Sequence, residues 1–464
     1  MSPARSSRFG ASACLLIATL AACGGGGGSA SVSVGTGGSS GVSPPGGSTS
    51  CDVTVTTADS YDKIEAATAG QTVCIAAGTY HFRVTLAKAG TASAPITIRA
   101  ADPANRPVFD YTSSTHDVTG WPGSYSSSDA FRSAWRVTGA YYIIDGIVIQ
   151  GANNSYNNWS INDNTSGIRY LNSSNLTIRN CRLYNNDMGV QGGGSNTVIE
   201  YTEFDANGVP NSDQSHNIYI LGGDNFTLRY SYSHDSVGGQ NFHVRARNAT
   251  LAYNWFQNAA DYEGDMMTNQ ASYDAGANGV QDMLFLGNVV VQNPTPGNEG
   301  KLITLYNDGG TPNPTMNITA LWNTFVFREA GRGTDTAPIQ FSKATLAAGT
   351  VVFSNNIVSA SGARSAVITD AGSGSLTVSG TNNFFPTGSL VLPIVGTKFA
   401  TDVLFVNAGS GNYALQAISP AAGYASLAVT PRPIFGFSSA PTAAALLSGS
   451  VTARAAATNP GAIQ

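Results

Sequence analysis

Hydrophobic and polar positions along the chain fall into one recurring order. A polar residue or glycine opens a short, mostly apolar strand, and an asparagine follows a few residues later, just ahead of another apolar position. The openings stand at Asn175-Leu-Thr-Ile178, Asn196-Thr-Val-Ile199, Asn225-Phe-Thr-Leu228, Asn248-Ala-Thr-Leu251, Asp282-Met-Leu-Phe285, Asn317-Ile-Thr-Ala320, Gly349-Thr-Val-Val352 and Gly374-Ser-Leu-Thr377. Their spacings are 21, 29, 23, 34, 35, 32 and 25 residues. The asparagines that follow are Asn180, Asn254, Asn288, Asn323, Asn356 and Asn383. Asparagine tolerates the left-handed backbone of a sharp corner, and stacked asparagines can hydrogen-bond from one repeat to the next.

One such strand-turn-strand unit of about 22 residues cannot close a core alone, whereas many stacked units bury a continuous one. Unequal spacing then means loops of unequal length leaving the stack. The pattern therefore predicts an all-β chain folded as a single-stranded right-handed parallel β-helix; a sandwich would not return the same polar-start, apolar-strand, Asn-corner order each time. Residues 59–68 carry an acidic N-cap candidate, Asp59, with Tyr61, Ile64 and Ala67 on one face and Gly70 beyond. They are expected to form a helix covering the open end of the first coil.

Composition narrows the class. The chain has 464 residues, 53 of them glycine, and is 42% apolar but only 11% charged. Coiled coils and charge-driven disorder are excluded by that balance. With 23 basic against 28 acidic residues there is no general positive field for phosphates, so no nucleic-acid partner is expected.

The first 50 residues form an address. Arg5 and Arg8 precede an apolar stretch from Ala11 to Leu20, followed by Ala21, Ala22 and Cys23. A basic start, a short apolar run and small residues before a cut make an export signal too short to span a bilayer as a mature helix. Leu20-Ala-Ala-Cys23 resembles the lipobox of bacterial lipoproteins. That resemblance implies cleavage after residue 22, acylation of Cys23 and, with Gly24 next, the outer membrane as destination. Removing residues 1–22 takes two arginines and no acid, moving the formal charge from −5 to −7. Residues 23–50, rich in Gly and Ser, read as a flexible tether. The β-helix is expected over 51–437, and 438–464 as a last coil or tail; the mature chain is expected to be a monomer.

Cys14 leaves with the signal. Cys51 and Cys74, 23 apart at the start of the folded part, are expected to form a disulfide in an oxidising compartment, worth roughly 3 kcal/mol by chain entropy. Cys181 lies in an apolar strand pattern and reads as core.

Two longer segments carry a family resemblance. Ala69-Gly-Gln-Thr-Val-Cys-Ile-Ala-Ala-Gly-Thr-Tyr80, with Gly90-Thr-Ala-Ser-Ala-Pro-Ile-Thr-Ile-Arg99, resembles the opening of the chondroitinase B and alginate lyase group of pectate-lyase-like β-helix polysaccharide lyases. Residues 404–416, followed by Ser419-Pro420, resemble that group's closing segment. The resemblance implies the scaffold over about 51–425; the group also contains epimerases and hydrolases.

Candidate chemistry concentrates in a short stretch. Three of the five histidines, His216, His234 and His243, fall within residues 216–243. If Ile218, Ile220, Phe242 and Val244 point inward, then Tyr219, His243 and Arg245 point outward, with His216 beside them. Such a patch suits β-elimination on a uronate polymer, which needs a base for the proton α to the carboxyl, a cation for the carboxylate and an acid for the leaving oxygen. The candidate catalytic residues are His216, Tyr219, His234, His243, Arg245 and Arg247. Arg245 is assigned as carboxylate clamp or base, His216 or His243 as base, and Tyr219 as proton donor. The resembled lyases place a Lys base and an Arg partner on neighbouring coils; Phe242-His-Val-Arg-Ala-Arg-Asn248 has no Lys. Candidate substrate contacts are Trp159, Asn241 and Tyr262. Glu263 and Asp265 are candidate ligands for Ca2+, the one cofactor considered, and Asp235, Asp261, Glu263 and Asp265 could instead supply the carboxyl pair of a glycoside hydrolase. A non-catalytic adhesin presenting flat ladders to carbohydrate is the third reading. Gly192 to Gly194 reads as a turn, and Trp121, Tyr125, Trp135 and Tyr156 as loop aromatics facing sugar or packing their loops.

Overall fold

A computed structural model describes residues 50–112, 133–153, 165–212, 214–267, 280–292, 303–306, 315–328, 339–341, 348–360, 368–370, 375–389, 394, 396–433, 435–442, 446, 452–453 and 458–463. The signal, Cys23, the tether, Trp121, Tyr125, Tyr156 and Trp159 lie outside them.

Among the described residues the chain forms three long parallel sheets of 12, 10 and 12 strands. Each complete coil contributes one strand to each. A representative coil runs Ile218–Gly222 in the second sheet, Phe226–Arg229 in the first and Tyr232–His234 in the third. The next repeats it with Phe242–Val244, Asn248–Ala252 and Trp255–Gln257. Each sheet pairs every strand with the equivalent strand of the neighbouring coil, which is the parallel β-helix the repeats predict.

Strand alternation explains the core. In the first sheet the register aligns Ile144, Ile178, Ile199, Leu228, Leu251, Phe285, Ala320 and Phe353, all buried in one cluster. In the later coils Phe256, Phe285, Phe325, Phe353 and Phe385 stack at centroid distances of 5.8–6.3 Å, alternating between the third sheet and the first. Apolar burial on this scale is what lets a chain with so little charge hold together.

The corners carry two buried asparagine ladders. Between the first and third sheets, Asn254, Asn288, Asn323, Asn356 and Asn383 are linked side chain to side chain at 2.9–3.1 Å. Each also accepts a bond from the backbone N–H of the residue one coil earlier, as Asn288 does from Asn254 at 2.9 Å. The left-handed residue is the one before the ladder: Tyr230, Tyr253, Gly287, Trp322, Asn355 and Asn382 have positive φ. Asn180 holds that left-handed position and not a ladder position. Cys181 takes the ladder place one residue on, buried, with its thiol pushed up to about 12 by burial.

The cap is shorter than the sequence suggests. The helix spans Asp62–Glu65 and has no side-chain cap bond. Asp59 does not cap it, because its carboxylate is bound to the backbone and hydroxyl of Thr56 and to Lys63. Ile64 nevertheless lies in the core, and Glu65 accepts the N–H of Thr85 at 2.6 Å, covering part of the second sheet's first strand, Val84–Leu86. Cys51 and Cys74 are joined by a disulfide with Cα atoms 5.6 Å apart.

Two local readings change. Trp135 is wholly buried, edge-on to Phe109 at 4.8 Å, and so is a core residue. Gly192 belongs to the strand Met188–Gly193, where an added Cβ would sit 2.0 Å from the Tyr170 ring. Trp255 and Trp322 are buried in a second apolar cluster. Parallel stacking ends at Lys398–Ala400, after which the chain turns antiparallel at Phe405–Asn407 and Asn412–Leu415. Phe437, Leu446, Ala462 and Ile463 then pack into the second cluster, on the outside of the corner and third sheet, so the described part of 438–464 is neither a further coil nor a loose tail.

Candidate active site

The second sheet positions the chemistry. Ile218, Ile220, Phe242, Val244 and Met266 are buried in the core, so Tyr219, His243 and Asp265 between them face outward. Register places those three side by side on consecutive coils. The close approach needs small residues beneath: a Cβ on Gly264 would fall 2.1 Å from the Phe242 ring.

His216 reaches the same place from the corner before its strand. Its ring stacks on His243 with centroids 4.9 Å apart, and Tyr219 stands edge-on to His243 at 4.5 Å and to His216 at 5.1 Å. Nδ1 of His243 lies 2.8 Å from Oδ1 of Asp265, whose Oδ2 accepts the Tyr262 hydroxyl at 2.8 Å. The Asp265 carboxylate thus sets a negative charge beside the His243 ring. In His216, Nδ1 accepts the Gln240 N–H at 3.2 Å, which puts the proton of the neutral ring on Nε2. Burial, with the nearby charges of His243 and Arg245, holds His216 well below the ordinary histidine range. Two stacked imidazoles, a phenol and a buried guanidinium thus occupy one patch.

Several sequence candidates are elsewhere. His234 is on the outer face of the third sheet. Burial opposes its charge, but Asp235, Glu203 and Asp205 outweigh burial and raise it to about 9. Arg247 lies past the strand end and holds both oxygens of Asp224, its Nε at 2.6 Å from Oδ1. Neither joins the His216–His243 patch. Asn241 is fully buried in the second corner ladder, where Asn186, Asn207, Asn217, Asn241 and Glu263 are bonded in series at 2.7–2.9 Å. It offers no face to a ligand.

Glu263 ends that ladder, accepting from Asn241 and from the Ala259 N–H; burial raises it to about 8 despite those donors. It does not pair with Asp265 as a calcium site: one carboxyl is inside the corner, and the other is engaged by His243 and Tyr262. Tyr262 is 7% exposed and serves Asp265. Asp261 accepts from Gln240 and Asp235 contacts His234, so the carboxyl-rich stretch is split between separate surroundings.

A group missed in the sequence is Glu203, Asp205 and His234, whose ligand atoms lie within 4.8 Å of one another. Register makes it: Glu203–Asp205 pairs with Tyr232–His234. Arg182 already binds both carboxylates, at 2.9 and 2.7 Å, and His234 faces Asp235 at 2.6 Å. A cation and a protonated ring therefore already answer these carboxylates, and a divalent ion does not fit without displacing them.

The fold and this patch define a right-handed parallel β-helix protein with a titratable cluster on one sheet. Residues 42–242 match the family model described as Pel9A-like, right handed beta helix region. Among solved structures, the chain is similar to the alginate lyase from Paenibacillus sp. str. FPU-7 at 15% identity, covering 75% of this chain and 98% of that one, with a TM-score of 0.37. It is similar to pectate lyase Pel9A at 15% identity over 78% and 84% of the two chains, TM-score 0.41. The PL6 family polysaccharide lyase Pedsa3628 from Pseudopedobacter saltans shares 12% identity over 77% and 94%, TM-score 0.39. No curated protein matches the chain in sequence.

Proposed function

We propose that the protein is a polysaccharide lyase that cleaves an acidic, uronate-containing polymer by β-elimination on the outer face of the second sheet. The observation that carries this is the Tyr262–Asp265–His243 chain beside His216, Tyr219 and Arg245. The match of residues 42–242 to a Pel9A-like region supports the same class.

His243, with the Asp265 carboxylate beside it, takes the proton α to the carboxyl; Asp265 then stabilises the imidazolium that forms. Arg245 neutralises the carboxylate as charge builds on it, the role for which a guanidinium fork is suited. His216, kept neutral by burial, offers its Nε2–H as a hydrogen bond to the leaving oxygen, and Tyr219, which stands beside both rings, supplies the proton that oxygen takes.

The test is a panel of uronate polymers, with and without added Ca2+. β-Elimination leaves an ultraviolet-absorbing unsaturated uronate at each new non-reducing end, abolished by His243→Ala. New reducing ends without that absorbance would replace the lyase by a hydrolase; binding without either product would leave a carbohydrate-binding protein.

The address is also part of the proposal: cleavage before Cys23 and acylation of its thiol anchor the chain to the outer membrane. Detergent-phase partitioning of the wild type, lost in Cys23→Ala, tests it. No helix among the described residues is long and apolar enough to cross a membrane.

A further inference from the structure

The first sheet, one corner round from the candidate centre, carries a trough of about 520 Å³ on its outer face. Ala249 and Leu251 point into the core, so Asn248 and Thr250 on the same strand face out. Register extends them into two parallel outward rows over four coils. One is Asn225, Asn248, Asp282 and Asn317, and the other is Thr227, Thr250, Leu284 and Thr319. Leu284 packs against the second apolar cluster, and Pro431, from the segment that follows the parallel stack, forms part of the wall.

Outside the trough the amide row is zipped to itself. Asn196 Nδ2 donates to Asn175 at 3.2 Å, Asn225 Nδ2 to Asn196 at 2.9 Å, and the Thr350 hydroxyl to Asn317 Oδ1 at 2.8 Å. Inside it the row opens. Asn317 still donates to Asp282 Oδ1 at 2.9 Å, but the Asn248 amide and the hydroxyls of Thr227, Thr250 and Thr319 have no hydrogen-bond partner among the described residues. Of the residues that line the trough, Asp282 alone is charged. At the rim, Arg247 and Asp224 neutralise each other.

We propose that this trough is a second carbohydrate site, which takes an uncharged, hydroxyl-rich glycan lying along the helix axis. Amides and hydroxyls both donate and accept, as sugar hydroxyls do, so each rung can answer a ring hydroxyl in either sense. Leu284 and Pro431 offer apolar contact to the C–H face of a ring. The Asp282 carboxylate accepts strongly from neutral hydroxyls and repels a uronate, so the polymer proposed for the second sheet is not the ligand here. Three rungs of about 4.8 Å give the rows a length of about 14 Å, enough for a short stretch of chain. The site does not depend on the lyase reading.

Calorimetric titration with cello-, malto-, manno- and xylopentaose, and with a pentauronate for comparison, tests it. At least one neutral pentasaccharide should bind. Asn248→Ala combined with Thr250→Val should raise its Kd about tenfold at an unchanged melting temperature, because neither side chain has a partner to lose. If that double variant melts lower, the isosteric Thr250→Val alone is read, with a Kd raised about threefold. His243→Ala should leave the Kd unchanged, which separates this site from the candidate centre: binding by a chain that cleaves no polymer sinks the lyase reading and keeps this one. No binding of any neutral pentasaccharide at millimolar concentration, or a Kd unmoved by the trough substitutions, overturns the proposal. So does a pentauronate that binds as tightly and is lost in the same variant.

Discussion

Asn241 is a candidate sugar contact by sequence and a buried ladder residue in the structure, so Asn241→Ala separates the two roles. Its Oδ1 accepts from Asn217 at 2.8 Å, and its Nδ2 donates to Gln257 O at 2.8 Å and to Glu263 Oε2 at 2.7 Å. Asn217 keeps a bond to His234 O, and Gln257 O keeps the Asp235 N–H. Those two losses cost about 1 kcal/mol each. The third leaves a carboxyl oxygen in the interior without its donor, at about 1.5–3 kcal/mol. The sum is about 3–5 kcal/mol, read as a lowered urea midpoint at unchanged slope. Asn241→Asp should be worse still above pH 8, where the facing Glu263 ionises. Loss of under about 1 kcal/mol, together with a raised KM, would refute the ladder argument and restore Asn241 as a substrate contact.

Further expectations concern activity and pH. Asp265→Asn should lower kcat by about 10²- to 10⁴-fold with a small change in KM, because His243 loses the charge that stabilises its protonated form; an unchanged kcat removes His243 as base. His234 is raised to about 9, so its ion pairs stabilise the fold fully below the ordinary histidine value of about 6.5, and that stability is lost as pH rises through 9. Melting temperatures of His234→Gln against wild type between pH 6 and 10 should converge at the alkaline end; a constant difference contradicts this. Gly264→Ala should destabilise by about 1–3 kcal/mol through the Phe242 ring and reduce activity with it, measured by melting and rate together.

Much of the architecture is legible because it is written locally. Polar starts, apolar strands and the asparagines from Asn254 to Asn383 each mark a position relative to the backbone, and their recurrence gives the stack without knowledge of its shape. The alternation of Ile218, Tyr219 and Ile220, and of Phe242, His243 and Val244, correctly gives the outward residues. Alternation does not say which sheet a residue joins. His234 is only nine residues from His243, yet a corner turns it onto another face. Nor does the pattern tell a left-handed corner from the ladder place beside it, because Asn serves at both. It also hides Arg136 and Arg169 as neighbours, since 33 residues separate them in the chain.

By itself, then, the sequence determined the repeating strand-and-corner fold, the Cys51–Cys74 link and the stretch where ionisable groups gather, all of which depend on short-range pattern and composition. The tertiary structure alone decided which of those groups meet. Parallel register brings residues 14 to 51 positions apart into contact across a single rung, and that register selects Tyr219, His243 and Asp265, with His216 stacked beside them, joins Arg136 to Arg169, and leaves Asn241 and Glu263 in the interior.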